Sequence, residues 1–197
     1  MQGSKIRLSD AEMKLFSDAE FILTKNSILQ KTILLLSDVQ ETMVKEAEGK
    51  GFDFSPPPKI SRGENYLGLP YVILDYPRIS DGDDLLFVRS MFWWGNFFSS
   101  TLQASGKYKE SCIVTLQDEY ENLSAQEYFI GINKDPWAHH FKPDNYRRIS
   151  DFSKEAFEVI AEEQPHIKIA TYWPLSEWDL AATKLIESWN LLIGLTA

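Results

Sequence analysis

One seven-residue segment, Phe92-Trp93-Trp94-Gly95-Asn96-Phe97-Phe98, constrains the fold more than any other feature of this sequence. A Gly-Asn dipeptide suits a two-residue hairpin loop with glycine first, and residues 85–105 around it are rich in strand formers. We therefore expect two antiparallel strands joined at Gly95-Asn96. That register predicts three cross-strand pairs: Trp94 with Phe97, Trp93 with Phe98, and Arg89 with Leu102. A helix through Phe97 to Leu102 is the competing interpretation.

The alternation of side chains along a strand divides this hairpin into two predicted faces. One face carries Phe87, Arg89, Met91, Trp93, Phe98, Ser100, Leu102 and Ala104. The other carries Leu86, Val88, Ser90, Phe92, Trp94, Phe97, Ser99, Thr101 and Gln103. Both faces are apolar near the loop, so we expect both to be covered there.

Three further segments have the composition of strands. They are Tyr71 to Tyr76, closed by Pro77, then Glu127 to Ile132, and His166 to Trp173. With the hairpin they predict an antiparallel sheet of about five strands. Residues 108–123 fit either a helix or a strand. Helical spacing returns at residues 149–160 and after Ser176, which predicts packed helices and a C-terminal helix.

The N-terminal part is predicted to be helical over residues 9–48. Ser9 and Glu12 have the spacing of a capping box, and Ser27 to Gln30 repeat it, so either a helical hairpin or one long helix fits. Pro56-Pro57-Pro58 then forms a stiff spacer before the sheet-containing part, residues 59–197. The fold class is therefore α+β, in a single domain spanning residues 1–197.

Composition points to an ordinary globular protein, with 44% hydrophobic and 25% charged residues. Cys112 is the one cysteine, which excludes an internal disulfide and suits a reducing compartment. Residues 1–10 are polar and lack the apolar block of a secretory signal. The apolar stretch Ile33 to Leu36 is too short to span a bilayer. We expect a cytoplasmic protein that does not bind membranes.

The net charge of −9 is concentrated in the last part of the chain, where residues 111–197 hold 14 acidic and 7 basic side chains. Such a surface repels nucleic-acid phosphate, so we expect no nucleic-acid partner. A solvated acidic face is one interpretation. A docking face for a basic protein partner is the other, and acidic toxin-neutralising immunity proteins are one bacterial class with this composition.

Motifs for metal or cofactor chemistry are lacking in the sequence. His139, His140 and His166 have no partners at metal-ligand spacing, so we expect no metal site and no cofactor. The glycines at Gly63 and Gly68 are not followed by the Lys-Ser/Thr of a phosphate-binding loop. Cys112 lies in an apolar run, which favours a buried, inert thiol. Whether the chain is an enzyme stays open.

Arg89 is the residue that most suggests a site, because it interrupts an apolar strand. A buried guanidinium needs acceptors, and Asp75, flanked by Leu74 and Tyr76, is the natural partner. A structural ion pair is one interpretation. The other is a pocket that binds a small anionic ligand, since arginine presents a rigid fork of donors. Its candidate residues are Arg89, Asp75, Tyr76, Arg78, Trp93, Trp94, Asn96, His139 and His140.

Two stretches of the chain, Gly63 to Arg78 and Met91 to Phe98, resemble segments of uncharacterised bacterial hypothetical proteins. The resemblance covers about the middle quarter of the chain. It implies a conserved bacterial module and assigns no activity to any residue.

Two functional hypotheses follow. The first is a non-catalytic binding protein, for a small anionic ligand or a protein partner; the sequence does not predict the oligomeric state of the chain itself. The alternative is an enzyme with a polar pocket built from Asp75, Arg78, Arg89 and the His139-His140 loop. Asp135 to Phe141, which contain those histidines, form a polar-aromatic loop after a strand, a position that often carries function.

Overall fold

A seven-stranded antiparallel sheet is the centre of the computed structural model, which describes residues 5–196. In chain order the strands are β1 (Lys59–Tyr66), β2 (Leu69–Asp81), β3 (Asp84–Trp93), β4 (Phe97–Ser105), β5 (Phe129–Gly131), β6 (Tyr146–Arg148) and β7 (His166–Pro174). The helices are α1 (Asp10–Phe16), α2 (Ala19–Gly49), α3 (Gly106–Asp118), α4 (Tyr120–Ala125), α5 (Lys154–Glu163) and α6 (Ala181–Gly194), with 3-10 helices at Ile149–Asp151 and Leu175–Leu180. The strand order is β1-β2-β3-β4-β7-β5-β6.

The predicted α+β class is confirmed, with a long N-terminal helix and a C-terminal helix. The prediction of about five strands was too low, because β1 and β6 were missed. β1 has the polar sequence Lys-Ile-Ser-Arg-Gly-Glu-Asn-Tyr, which an edge strand tolerates because much of it stays solvated. β6 has three residues, too few to show a pattern.

The segment in which we expect no secretory signal covers residues 1–10, and residues 1–4 of it lie outside the described range.

The predicted capping box at the N-terminus is present. The Ser9 hydroxyl accepts from the Glu12 N–H, and the Glu12 carboxylate accepts from the Ser9 N–H at 2.7 Å. The second predicted start, at Ser27, is wrong: α2 begins after Asp18, whose carboxylate accepts from the Phe21 N–H, and it runs unbroken through Ser27. Of the two alternatives, the long helix is the observed one.

The hairpin between β3 and β4 has the predicted partners but a different register. Its loop contains Trp94, Gly95 and Asn96 rather than two residues, and Gly95 takes a positive φ of 69°. The observed cross-strand pairs are Trp93 with Phe97, Phe92 with Phe98, and Arg89 with Thr101. Because side chains alternate along a strand, a shift of one residue moves every β4 side chain to the opposite face. The alternative of a helix over Phe97 to Leu102 is also wrong.

Two segments end differently from the prediction. β2 does not close at Pro77 but continues to Asp81, with a register shift between Asp75 and Arg78. Proline lacks an N–H and is tolerated at such irregularities. Residues 108–123, which fitted a helix or a strand, form α3 and the start of α4, with Cys112 and Leu116 buried.

Among residues 5–196, no helix combines the length and hydropathy needed to cross a membrane.

The sheet has two faces with different coverings. The first, here called the helix face, packs against α2, α3, α5 and α6 around an apolar core that includes Val72, Leu74, Leu102, Ile169 and Trp189. The second, here called the loop face, carries the polar side chains of Asp75, Arg89, Thr101, Gln103 and Lys168. Residues 132–145, the covering loop, bury part of that polar face.

Candidate functional site

The predicted contact between Arg89 and Asp75 is present. The two residues are directly opposed on β3 and β2, and both point to the loop face. Arg89 Nε donates to Asp75 Oδ1 at 2.7 Å, and Arg89 Nη2 donates to Asp75 Oδ2 at 2.9 Å. The Arg89 and Asp75 side chains are only 15% and 11% exposed. Two parallel hydrogen bonds in a partly desolvated place hold the guanidinium in one orientation.

The covering loop adds His139 to this pair. Arg89 Nη1 lies 2.9 Å from His139 Nε2, and because a guanidinium can only donate, Nε2 accepts. The pKa of His139 lies well below its usual value of 6.5, first because of burial and then because Arg89, Lys168 and His140 raise the local potential. His139 is therefore neutral at pH 7, with its ring proton on Nδ1.

Tyr66, at the end of β1, anchors the covering loop. Its hydroxyl oxygen accepts from the His139 N–H at 2.5 Å and from the His140 N–H at 3.1 Å. The same oxygen lies 3.3 Å from His140 Nδ1. Trp93 Nε1 donates to the Tyr66 carbonyl at 3.2 Å. Burial raises the pKa of Tyr66, so the hydroxyl stays protonated. One phenol thus ties two consecutive loop residues to the edge of the sheet.

A cleft of about 210 Å³ opens beside Arg89. It is lined by Tyr66, Tyr71, Ile73, Arg89, Met91, Trp137 and His139. The Trp137 ring lies over the guanidinium, 5.5 Å from Arg89 Cζ to the ring centre, and is 45% exposed. The cleft therefore has an apolar floor from two strands, an aromatic wall exposed to solvent, and one charged group at its side.

Lys168 is a second cation beneath the covering loop. Its side chain is fully buried on β7, and Nζ donates to the Ala138 carbonyl and lies 4.8 Å from the centre of the Tyr146 ring. Burial lowers the pKa of Lys168 from 10.5 to about 8. β5 passes so close that a Cβ on Gly131 would lie 2.8 Å from Lys168 Cβ. Lys168 thus supports the loop backbone next to His139.

The structure brings only some of the predicted site residues together. Arg89, Asp75 and His139 are in contact, Trp93 borders the same group through Tyr66, and His140 lies behind it. Four others, Tyr76, Arg78, Trp94 and Asn96, lie elsewhere. Tyr76 points to the helix face and stacks on Trp189. Arg78 donates to the Pro57 carbonyl at 2.7 Å.

The remaining two, Trp94 and Asn96, lie at the hairpin end. Asn96 donates to the Trp94 carbonyl at 2.9 Å, which stabilises the turn. Trp94 packs edge-on against Phe92 on the helix face and lines a different groove. The predicted pocket therefore grouped residues from both faces of the sheet, which the pleat keeps apart.

The candidate list lacked five residues that line the cleft, Tyr66, Tyr71, Ile73, Met91 and Trp137, and it also lacked Lys168 beneath the covering loop. Tyr66 belongs to β1, which was not recognised as a strand. Tyr71 lies four residues before Asp75 in the same predicted strand, so alternation placed it on the face of Arg89's expected partner, and this signal could have found it. A lysine between Ile167 and Ile169 in a buried strand was the available signal for Lys168, by the same reasoning that singled out Arg89.

Cys112 is fully buried on the helix face, and burial raises its pKa to about 12, so it is not a nucleophile at neutral pH. Within residues 5–196, no group of three or more His, Cys, Asp or Glu side chains is placed to hold a metal ion.

Comparison of the chain with protein-family models, with curated proteins and with solved structures finds no match. The resemblance of Gly63 to Arg78 and Met91 to Phe98 to bacterial hypothetical proteins therefore stays a prediction.

Proposed function

We propose that this protein is a non-catalytic binding protein that holds a small anionic ligand in the Arg89 cleft. The observation that carries the proposal is that Arg89 is held by Asp75 and His139 yet still lines an open cleft. These contacts engage three of its five N–H groups. A guanidinium whose orientation is already set loses little freedom when a ligand binds, which favours affinity.

The local potential favours an anion despite the overall charge of −9. Arg89 and Lys168 both lower the pKa of His139, which means that the potential at the imidazole is positive. Asp75 neutralises part of the Arg89 charge. We therefore expect selectivity for an anion over its neutral analogue, with an affinity below that of a site with two unpaired arginines.

The size and lining of the cleft restrict the ligand. A volume of about 210 Å³ equals that of about seven water molecules at about 30 Å³ each. Tyr71, Trp137 and Met91 offer apolar surface around the guanidinium. A short or aromatic carboxylate fits this combination better than a nucleotide, which is larger than the cleft.

The catalytic alternative has less support from the same geometry. A general base must be able to take up a proton near the working pH, whereas His139 Nε2 already accepts from Arg89 and its pKa is well below 6.5. Arg78, which the predicted enzyme pocket required, is bonded to Pro57 outside the cleft. The enzyme hypothesis stays a prediction that the binding experiment also tests.

The experiment is a calorimetric titration with benzoate, acetate and inorganic phosphate, and with benzamide as the uncharged match of benzoate. We expect benzoate to bind and benzamide to bind at least about tenfold more weakly, the equivalent of about 1.4 kcal/mol. Arg89→Lys should weaken benzoate by about tenfold or more, because lysine lacks the planar fork. Arg78→Lys is the matched control and should leave binding unchanged.

Equal binding of benzoate and benzamide, or an unchanged affinity in Arg89→Lys, would contradict the proposal. Proton NMR of each bound probe over one day separates the two hypotheses. An unchanged spectrum agrees with binding alone, and conversion of a probe would favour the enzyme.

A further inference from the structure

The N-terminal helices carry an apolar surface that the domain itself does not cover. Residues 10–24, here called the arm, are all exposed, and α1 buries no residue. The arm nevertheless contains six large apolar side chains that are 42–82% exposed: Met13, Leu15, Phe16, Phe21, Ile22 and Leu23. A seven-residue helix is marginal in water without packing, so an arm of this composition needs a covering surface.

The arm continues the side of α2 that faces the core. The buried residues of α2 are Leu29, Thr32, Leu36, Val39, Met43 and Ala47, at helical spacing of three and four. Continued towards the N-terminus, the same side passes Lys25 and reaches Ile22 and Phe21. At 1.5 Å per residue, the 31 residues of α2 span about 46 Å. The apolar side of α2 that packs on the core therefore continues beyond the sheet, to Ile22 and Phe21.

An apolar groove lies where the arm leaves the domain. It has a volume of about 360 Å³ and is lined by Ile28, Phe92, Trp94, Gly95, Leu175 and Trp178. Ile28 belongs to α2, two helical turns after Phe21. Each chain thus presents an apolar ridge and an apolar groove side by side on one surface.

We infer that this chain forms a two-fold homodimer in which the arm of each copy lies in the groove of the other. A ridge and a groove on the same surface are the complementary halves that an isologous contact uses twice. At about 60–120 Å² for each full side chain and with exposed fractions of 42–82%, the six arm side chains expose on the order of 300 Å² of apolar surface per copy. Two arms and two grooves together reach the lower end of the range of about 1,200–2,000 Å² that stable interfaces bury.

The dependence of binding on salt distinguishes this homodimer from a complex with a basic partner. Each copy carries a net charge of −9, and the arm itself holds Asp10, Glu12, Asp18 and Glu20 against Lys14. Two copies therefore repel each other at low ionic strength, and salt screens that repulsion. Homodimerisation should strengthen from 20 mM to 300 mM salt, whereas binding to a basic partner weakens.

The experiment is sedimentation equilibrium of the full chain at about 1–100 μM, together with variants of the arm and groove. We expect the wild type to reach twice the mass of the 22.7 kDa chain. Phe16→Glu and Ile22→Glu should each raise the dissociation constant at least about tenfold, because they place a charge in an apolar contact. Leu34→Glu is the matched control: Leu34 is 64% exposed, on α2 but on a different side from Ile22.

A mixing experiment tests the arm-in-groove arrangement itself. Leu175→Glu alters the groove and should also prevent dimerisation. Mixing it with Phe16→Glu should give a heterodimer that associates more tightly than either variant alone, because one of its two arm–groove contacts is intact. Circular dichroism and thermal midpoints of each variant verify folding, and Trp178→Ser replaces Leu175→Glu if the latter is unfolded.

The outcomes divide cleanly. Four results together would support the inference. The wild type forms dimers that strengthen with salt, and Leu34→Glu leaves them intact. The arm variants weaken them, and mixing an arm variant with the groove variant recovers association. A wild type that stays monomeric at 100 μM, including one that binds a basic protein instead, would overturn it. Dimers that persist in the arm variants would overturn it as well, and so would a mixture that associates no more tightly than either variant alone.

Discussion

The helix face and the loop face of the sheet are built from the same strands but are buried in different ways. On the helix face, apolar side chains from β2, β3, β4 and β7 pack against four helices. On the loop face, Asp75, Arg89, Gln103 and Lys168 are largely buried beneath the covering loop, 14 residues without regular structure (residues 132–145) that include His139. Neighbouring residues of one strand therefore have opposite environments.

This difference indicates where stability and where function reside. Apolar burial stabilises in proportion to area and needs no partner of defined geometry. Buried polar groups contribute little net stability, but they demand hydrogen bonds in fixed orientations. We interpret the helix face as the source of most of the folding free energy. On the loop face, beside the cleft, charged groups are held in fixed positions at some cost in folding free energy.

The largest expected effect comes from truncation on the helix face. Leu102 and Thr101 are neighbours on β4 and point to opposite faces; Leu102 is fully buried and Thr101 is 4% exposed. Leu102→Ala should lower the free energy of unfolding by about 2–5 kcal/mol, since it removes buried methyl groups and leaves a cavity. Thr101→Ala should cost about 1 kcal/mol. Urea unfolding measures both free energies. A larger loss for Thr101→Ala than for Leu102→Ala would contradict the inference that the helix face supplies most of the stability.

The next effect comes from removing one member of the ion pair. Asp75→Ala leaves the Arg89 charge largely buried without its carboxylate and should cost about 3 kcal/mol. The double variant Asp75→Leu/Arg89→Met removes both charges and should recover most of that loss. Chemical denaturation of the three proteins tests this. If the double variant is no more stable than Asp75→Ala, the pair itself stabilises the fold, and the two faces differ less than we infer.

Lys168 gives the loop face a measurable dependence on alkaline pH. Its pKa is about 8 in the folded chain and 10.5 as the ordinary value, so the folded state binds fewer protons between those pH values. The free energy of unfolding should therefore rise as pH increases from about 8 to 10.5. The difference between 10.5 and about 8 corresponds to on the order of 3 kcal/mol at full effect.

The matched variant for this test is Lys168→Met, which keeps the length of the side chain and removes the titration. Its stability should lack the rise that the wild type shows in that window. Thermal midpoints at pH 7, 8, 9 and 10 give the comparison. Parallel curves for wild type and Lys168→Met would show that Lys168 is not desolvated in the folded protein.

The smallest effect concerns acid pH and His139. Its pKa is well below 6.5 in the folded chain, so the unfolded state takes up protons first as pH falls. The stability contributed by neutral His139 is fully present above pH 6.5 and decreases below it. His139→Gln keeps an acceptor towards Arg89 without titrating and should flatten this decrease between pH 6.5 and 5. His166, whose pKa is also lowered, needs its own His166→Gln control.

Much of the architecture could be predicted because local patterns carry it. The Ser9 capping box, the β3–β4 hairpin and the strand at residues 166–173 follow from spacing and composition over fewer than about ten residues. Arg89 could be recognised from the same kind of evidence, since a cation in an apolar strand needs a partner. Asp75 followed because the two strands were expected to be neighbours.

The register of the hairpin could not be predicted from its loop. Gly95-Asn96 fits a two-residue turn, but the structure uses three loop residues, and this single residue decides whether Leu102 or Thr101 lies beside Arg89. The hydrophobic pattern could not correct the register that the loop suggested, because both predicted faces were apolar near the turn. Packing of Leu102 against the helices and of Thr101 beneath the covering loop selects one.

The sequence alone determined that Arg89 must be paired and that the strand around it is buried. Only the tertiary structure decided that His139, fifty residues later, accepts from Arg89, and that Tyr66 holds this histidine in place. The reason is physical. Periodicity records which side of an element faces the core, whereas contacts between distant segments depend on the shapes and donors of both surfaces, which no local spacing encodes.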